Sequence, residues 1–307
     1  MARRRKGNPV HGWLILDKPL EMTSTKAVAI VKRLFNAQKA GHAGTLDPLA
    51  TGLLAIAFGE ATKTVSFAMD GQKVYRFTAR WGIETQTDDG EGDACQTSDN
   101  RPSNEEIEAI LSDFTGEIMQ VPPAFSAIKV AGERAYDLAR GGKEVSLDPR
   151  AVQIDDLRLV ETPDDDHAVF EAECGKGTYV RALARDMGRK LGCFGHVCTL
   201  RRARVGPFGE RDMISLEKLE EMSHKGAGQE AIEELLFPVA TVLDDIPALA
   251  VEGQEAARLR SGQAIIARGR DAPILHGTVV VTAHGEPVAI AEIREGMVHP
   301  RRVFNLT

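Results

Sequence analysis

The apolar residues of the first eighty positions follow two different spacings. Continuous apolar runs near 12–17 and 53–58 predict two short buried strands, which end at Lys18-Pro19 and at Gly59. Between them, a helical spacing predicts an amphipathic helix that begins at Ser24, a good N-cap residue. The apolar face of this helix is Ala27, Ile30, Val31, Leu34 and Phe35. Strict alternation over 73–81 predicts a further strand with one aromatic-rich face.

The rest of the chain combines the same two patterns. Short helices are predicted over 61–68 and 103–114, and strands over 152–160, 168–174 and 196–204. A longer helix is predicted to begin near Thr178, with buried positions Val180, Leu183, Ala184, Met187 and Leu191. Because strands and helices alternate irregularly, we predict a mixed sheet with helices packed on it rather than a parallel βαβ array.

Two stretches interrupt this pattern. Residues 120–148 contain Pro122-Pro123, a basic helical piece over 134–140 and Gly141-Gly142, and predict an exposed excursion from the core. Pro238 and Pro247 mark a boundary beyond which short strands and turns prevail. We therefore predict one domain over 1–240, which includes the excursion, and a smaller one over 241–307.

The net charge of −7 is unevenly distributed. Residues 84–113 carry a net charge of −9 and residues 210–245 a net charge of −7, so the remainder carries +9. A basic surface could therefore form elsewhere and bind phosphates, although the same charges could simply solvate the surface.

Four cysteines in 307 residues make no disulfide framework and predict a reducing, cytoplasmic location. No apolar stretch approaches the roughly 20 residues of a membrane span, and no complete metal or cofactor motif is present.

The most distinctive chemistry lies in the loop 41–48. Two glycines there permit close backbone approach, and Asp47 precedes Pro48 and so lies in an extended or turn conformation. A structural Asx-turn would explain the same aspartate.

Arg181 falls in the first turn of the helix near Thr178, where the helix dipole disfavours a cation unless a carboxylate faces it. A solvated arginine is the alternative. Tyr75 and Tyr179 could stack on a base, or could belong to the core.

Taken together, these stretches resemble the bacterial tRNA pseudouridine-55 synthase family. The matching stretches run in family order over most of residues 10–205, whereas the last 60 residues match less clearly. They are Gly-Trp-Leu-Ile-Leu-Asp-Lys-Pro (12–19), Gly-His-Ala-Gly-Thr-Leu-Asp-Pro-Leu-Ala-Thr-Gly-Leu-Leu (41–54), Lys-Val-Tyr (73–75), Thr-x-Thr-Asp-Asp-x-x-Gly (85–92), Pro-Pro-Ala-Phe-Ser-Ala-Ile-Lys (122–129), Arg-Ala-Tyr-Asp-Leu-Ala-Arg (134–140), Gly-Lys-Gly-Thr-Tyr-Val-Arg (175–181) and Gly-His-Val-x-x-Leu-Arg-Arg (195–202).

The resemblance implies an α+β pseudouridine synthase fold, with a mixed, largely antiparallel sheet and flanking helices, followed by a small β-rich PUA-like RNA-binding domain. It implies isomerisation of uridine 55 in the tRNA T-loop, without a cofactor or a metal. Asp47 would be the catalytic carboxylate, oriented by Arg181. Attack on C1′, addition to the uracil ring and a glycal route all remain open. Tyr75 would stack on the target base and accept a proton late in the reaction.

Substrate contacts follow from the same resemblance. Tyr179 and Leu200 would line the uracil pocket, and His42 would fill the space that the displaced base leaves. The predicted phosphate contacts are Arg134, Arg140, Lys143, Arg201, Arg202 and Arg204, with the acidic segments facing away from RNA. The expected partner is the T-arm of tRNA, bound by a monomer without an obligatory protein partner or a membrane. The alternatives are a tRNA-folding chaperone or RNA-binding module on this scaffold, and a guide-RNA-dependent relative.

Overall fold

The computed structural model describes residues 7–126, 128–130, 132–141, 145–224, 228–267 and 276–306. Its first part contains the strands β1 (Gly12–Lys18), β2 (Ala40–His42), β3 (Ala50–Phe58), β4 (Lys73–Trp81), β5 (Ile83–Thr85), β6 (Ala94–Thr97), β7 (Gly116–Gln120), β8 (Lys129–Val130), β9 (Glu133–Arg134), β10 (Arg150–Asp164), β11 (His167–Cys174), β12 (Gly195–Val205) and β13 (Ile214–Ser215). The strands β14 (Ala248–Ala250), β15 (Ile265–Ile266), β16 (Gly277–Ala283), β17 (Glu286–Arg294) and β18 (Met297–Val303) follow.

The α-helices connect and cover these strands. They are α1 (Ser24–Leu34), α2 (Val65–Asp70), α3 (Asn104–Ile110), α4 (Ala135–Arg140), α5 (Val180–Lys190), α6 (Leu216–His224), α7 (Gly228–Glu233) and α8 (Gly253–Arg260). Short 3₁₀ segments cover Gly59–Lys63, Leu111–Phe114, Glu210–Asp212 and Val239–Leu243. None of the helices in the described ranges is long and apolar enough to cross a bilayer.

The main sheet has nine strands in the order β13-β1-β3-β12-β4-β11-β10-β7, with β2 also paired to β3. Only the β1–β13 and β3–β12 pairings are parallel. The predicted α+β class with a mixed, largely antiparallel sheet is therefore confirmed. β14 to β18 form a separate five-stranded sheet, which gives the C-terminal part its β-rich character. The division at 240/241 stays a prediction.

The sheet positions β12 between two strands that come far earlier in the chain. Gly52 in β3 has a φ of +94°, and a Cβ atom there would lie 2.3 Å from the carbonyl oxygen of Arg202. Glycine is therefore needed for β3 and β12 to approach each other. The main core lies between this sheet and helices α1 and α5, and includes Phe35, Phe58, Phe77 and Leu183.

One local prediction needs correction. Thr23, not Ser24, caps α1: its hydroxyl accepts a hydrogen bond from Lys26 N at 3.1 Å. The acidic segment 84–113 contains β5 and β6, for which the sequence predicted no strands and which pair with each other. By contrast, the predicted helix near Thr178 and the strand over 196–204 are observed as α5 and β12.

Candidate active site

The loop between β2 and β3 carries Asp47 and is fixed on both sides of it. Ser24 Oγ, at the start of α1, accepts a hydrogen bond from Leu46 N at 2.8 Å and donates one to Leu46 O at 2.9 Å. Lys18 Nζ, at the end of β1, donates to Pro48 O at 3.4 Å. Because both sequence neighbours of Asp47 are anchored, its carboxylate has a defined position. A local Asx-turn would not require this anchoring of the residues before and after Asp47.

Arg181 faces this carboxylate, as the sequence predicted. Its Nη2 lies 3.0 Å from Asp47 Oδ2. Its Nη1 lies 3.2 Å from Asp89 Oδ2 and donates to Thr87 O at 2.8 Å, while Nη2 also donates to Phe125 O at 2.9 Å. Arg181 is only 5% exposed. It is therefore a buried, fully engaged guanidinium, and the alternative of a solvated arginine is wrong.

Two further arginines continue the same face of α5. Arg185 Nη1 contacts Asp88 Oδ2 at 2.9 Å, and Arg189 makes two hydrogen bonds to the Glu84 carboxylate, at 2.8 and 2.7 Å. Burial raises the pKa of Asp88 to about 6, against the opposing effect of Arg185. The acids at the start of 84–113 are thus buried against α5. The alternative that the charges simply solvate the surface is therefore wrong for Glu84, Asp88 and Asp89.

A cavity of about 430 Å³ opens beside Asp47. Of the predicted residues, Asp47, Tyr75, Tyr179, Arg181, Leu200 and Arg202 line it. They come from four separate places: the β2–β3 loop, β4, the start of α5 and β12. Its volume lies within the range of small-ligand sites. The chain therefore gathers a carboxylate, two phenols and two guanidinium groups around one opening.

The backbone of Tyr179 is held by a side chain from the neighbouring edge strand. Gln120, the last residue of β7, donates to Tyr179 O at 3.1 Å and accepts from Tyr179 N at 2.8 Å. Gln120 is buried, so this pair of hydrogen bonds excludes water. It fixes the wall of the cavity immediately before α5 begins.

His42 ends β2 and lies outside the set of residues that line the cavity. Its Nδ1 is buried without a hydrogen-bond partner among the described residues. Burial lowers the pKa of His42, and the positive charge of Arg202 lowers it further. The ring is therefore neutral at pH 7. Its predicted contact with the space left by a base stays a prediction.

The predicted phosphate contacts fall into different environments. Arg201 pairs with Asp17 at 2.9 Å and with Glu210 at 2.9 Å, and Arg204 pairs with Glu173. Both side chains remain more than one third exposed. Arg140 is exposed at the end of α4, and Arg134 lies in β9. Lys143 lies outside the described residues.

Arg202 lies in a different environment from the other candidates. It is 2% exposed, and its guanidinium donates to Leu53 O at 2.8 Å, to Gly44 O at 3.1 Å and to Thr45 O at 3.4 Å. These backbone carbonyls engage most of the guanidinium, although Arg202 also lines the cavity. Its predicted phosphate contact stays a prediction.

Three charged residues of the site escaped the sequence interpretation. Asp89 lies in the matching stretch 85–92 but was given no role, and the structure places it against Arg181. Lys18 and Lys73 are both buried beside the site, and burial lowers the pKa of Lys18 to about 8. The four-residue spacing of Arg181, Arg185 and Arg189 was an available signal. It places three cations on one face of a helix, where they repel one another unless acidic side chains of a neighbouring element face them.

Comparison with protein families accounts for almost the whole chain. Residues 32–180 match the TruB family pseudouridylate synthase N-terminal domain, and 181–244 match the tRNA pseudouridylate synthase B C-terminal domain. Residues 247–304 match the C-terminal model described as pseudouridine synthase II TruB. The chain belongs to the TruB family of pseudouridine synthases.

Full-length relatives support this membership. A tRNA pseudouridine synthase B of Bradyrhizobium diazoefficiens is 61% identical over 314 residues, which cover 100% of this chain and 91% of the relative. The protein of that name from Agrobacterium fabrum is 56% identical over 305 residues, covering 98% and 97% of the two chains.

A solved structure extends the likeness of fold. The archaeal box H/ACA sRNP Nop10–Cbf5 complex contains a chain that superposes with a TM-score of 0.74. The match covers 99% of this chain and 93% of that one, at 24% sequence identity. This likeness concerns the fold alone. It supports the pseudouridine synthase architecture that the sequence predicted.

Proposed function

We propose that this chain converts uridine 55 in the T-loop of tRNA to pseudouridine, with Asp47 acting on a flipped-out nucleotide. Membership of the TruB family makes the protein a tRNA pseudouridine synthase, an intramolecular isomerase. The target position and the residue roles go beyond family membership. The observation that supports the residue roles is the 3.0 Å contact between Asp47 and Arg181 at the wall of a cavity of about 430 Å³, while the target position follows from the family resemblance.

The reaction defines what the cavity must do. The N1–C1′ bond breaks, the uracil turns, C5 bonds to C1′, the C5 proton leaves and N1 gains a proton. Asp47 would attack C1′, add to the uracil ring or act through a glycal route. A carboxylate suits this work, because it can add covalently or stabilise a cationic sugar-like centre. Arg181 would orient it through a guanidinium held by three other acceptors. No cofactor enters this scheme.

The remaining lining groups suit a nucleobase. Tyr75 would stack on the uracil and accept a proton late in the reaction, while Tyr179 and Leu200 would enclose the ring. Flipping the base costs a few kcal/mol. Stacking on one aromatic ring returns roughly 1–3 kcal/mol. The difference would come from phosphate contacts. The candidates are Arg140, which is exposed, and Arg201 and Arg204, which are partly exposed.

We also propose that the partner is the T-arm of tRNA. The protein would bind it as a monomer in the cytoplasm, without an obligatory protein partner. A purely non-catalytic tRNA chaperone is not favoured, because the relatives are named as synthases and Asp47, Tyr75 and Arg181 are all present around one cavity. A chaperone role could accompany the enzymatic one.

Mapping of the product tests this function directly. Unmodified tRNA transcript is incubated with the protein, and pseudouridine is located by carbodiimide labelling and primer extension. We expect one modified position, 55, in both full tRNA and an isolated T-arm hairpin. A transcript with cytidine at position 55 is the matched control and should stay unmodified. Modification at another uridine, or none at all, would contradict the proposed target.

A further inference from the structure

Arg202 connects β12 to the loop that carries Asp47. It donates to Gly44 O and Thr45 O, within that loop, and to Leu53 O, in the strand that follows it. Gly44 has a φ of +93°, and a Cβ atom there would lie 3.4 Å from Arg202 Nη1. The loop conformation and the guanidinium therefore fit each other closely.

The same guanidinium meets Tyr75. Arg202 and Tyr75 are directly opposite residues in the antiparallel β12–β4 pairing, so their side chains lie on the same face of the sheet. Burial raises the pKa of Tyr75, and Arg202 opposes this rise by its charge and by a hydrogen bond to the phenol. Arg202 thus touches both the loop of Asp47 and the aromatic ring of the cavity.

The charge of Arg202 is unusual for a buried side chain. Among the described residues, no carboxylate is paired with it within 4.0 Å, whereas Arg181, Arg185 and Arg189 each have such a partner. Burial of an unpaired cation is costly. Burial lowers the pKa values of Lys18, Lys73 and His42, and the charge of Arg202 lowers them further. A side chain needed only to fill this volume would be less costly as an apolar residue.

We propose that Arg202 is a positioning residue, which holds the Asp47 loop and the Tyr75 ring at one fixed separation across the cavity. The inference rests on the proposed roles of Asp47 and Tyr75. The planar fork of a guanidinium can satisfy several carbonyls in different directions while it faces the phenol, and a lysine ammonium cannot reproduce that geometry. Reacting groups held about 1 Å from their productive positions can lose two orders of magnitude in rate.

Three substitutions at this position separate geometry from charge and from volume. Arg202→Lys keeps the charge, Arg202→Gln keeps some hydrogen bonding, and Arg202→Ala opens a space for added guanidinium. Arg158→Gln, an exposed arginine on β10 paired with Glu171, is the matched control. Each variant is assayed under multiple turnover with tRNA, and its thermal melting is recorded so that assays run well below the transition.

We expect kcat to fall by about 100-fold in Arg202→Gln and by between about ten- and 100-fold in Arg202→Lys, with KM for tRNA almost unchanged. Added guanidinium should raise kcat of Arg202→Ala above that in matched sodium chloride. Arg158→Gln should behave as the wild type. A role in fold stability alone would lower the melting temperature without this split between kcat and KM.

Several results would overturn the inference. Wild-type kcat in folded Arg202→Lys or Arg202→Gln would show that the fork is not needed. Failure of all three variants to fold, or activity loss that simply follows the folded fraction, would make Arg202 a structural residue. Asp47→Asn in the same assay keeps the two proposals apart. If Asp47→Asn is inactive and Arg202→Gln is fully active, only the inference about Arg202 fails.

Discussion

The Arg181 guanidinium lies between two aspartates of very different exposure. One nitrogen is 3.0 Å from Asp47, whose side chain is 39% exposed, and the other is 3.2 Å from Asp89, whose side chain is 4% exposed. Asp89 can therefore anchor the arginine permanently. Asp47 faces the cavity and keeps part of its carboxylate open to a ligand.

Asp47→Asn should abolish isomerisation and leave tRNA affinity within a few-fold of the wild type. The amide has nearly the same shape but cannot add to carbon or stabilise a cationic sugar. Pseudouridine mapping measures turnover, and filter binding measures affinity. Residual conversion by the purified variant would show that another group carries the chemistry.

Arg181→Lys should lower kcat by about 100-fold, although the charge is retained. An ammonium cannot contact Asp47, Asp89, Thr87 O and Phe125 O from one planar group, so Asp47 would lose its orientation. Single-turnover assays at saturating enzyme measure the chemical step without the effect of binding. An unchanged single-turnover rate would remove Arg181 from the catalytic arrangement.

Asp89→Asn should lower both stability and turnover. Removing one partner of a buried ion pair costs about 3 kcal/mol, because the remaining charge stays in a poorly solvated place. Urea unfolding measures the free energy, and the mapping assay measures turnover. Asp93→Asn, an exposed aspartate in the same segment, is the control and should be neutral. Equal stability of the two variants would contradict the anchoring role.

The first strands could be predicted from sequence because each has a local signal in its apolar spacing. The pairing of Asp47 with Arg181 was implied by the family resemblance, and the residues alone left an Asx-turn and a solvated arginine open. The unfavourable helix position of Arg181 indicated only that some carboxylate should face it. Asp89 lay in a matching stretch but was given no role, because which acid of a charged segment becomes buried against an arginine depends on how α5 packs. For Arg202 a usable signal existed. Leu200 and Arg202 lie two positions apart on a strand, so they share the face that lines the cavity, while Arg201 points the other way.

Lys18 should make stability depend on pH above neutrality. Burial lowers its pKa from 10.5 to about 8, with Asp47 opposing and Arg202 adding to the shift. The unfolded chain binds more protons between pH 8 and pH 10.5, so the contribution of Lys18 to stability rises with pH in that window. Below pH 8, Lys18 is protonated in both the folded and the unfolded chain, and the folded state bears the full cost of the buried charge.

The comparison with Lys18→Met isolates this effect from other titrating groups. Between pH 8 and pH 10.5, the unfolding free energy of the wild type should rise by about 3 kcal/mol relative to that of the variant. This follows from about 1.36 kcal/mol for each unit of the pKa difference between the folded and unfolded states. Denaturant unfolding at a series of pH values measures it. A constant difference from pH 8 to pH 10.5 would show that Lys18 titrates normally.

Arg140→Ala should weaken tRNA binding similarly for all tRNA sequences. The side chain is exposed at the end of α4, within the segment predicted to contact RNA. Losing one phosphate contact should lower the slope of log affinity against log salt concentration by about 1. Binding isotherms at several salt concentrations measure the slope, and Arg158→Ala serves as the control. An unchanged slope would place Arg140 outside the RNA-binding surface.

The position of β12 in the sheet has a consequence for synthesis of the protein. β12 (Gly195–Val205) separates β3 from β4, so these two strands cannot acquire their shared neighbour until residue 205 has left the ribosome. A nascent chain that already carries Asp47 and Tyr75 still lacks Arg181 and Arg202. Incomplete translation products therefore contain the carboxylate without its guanidinium partners and have no assembled cavity in which to modify RNA.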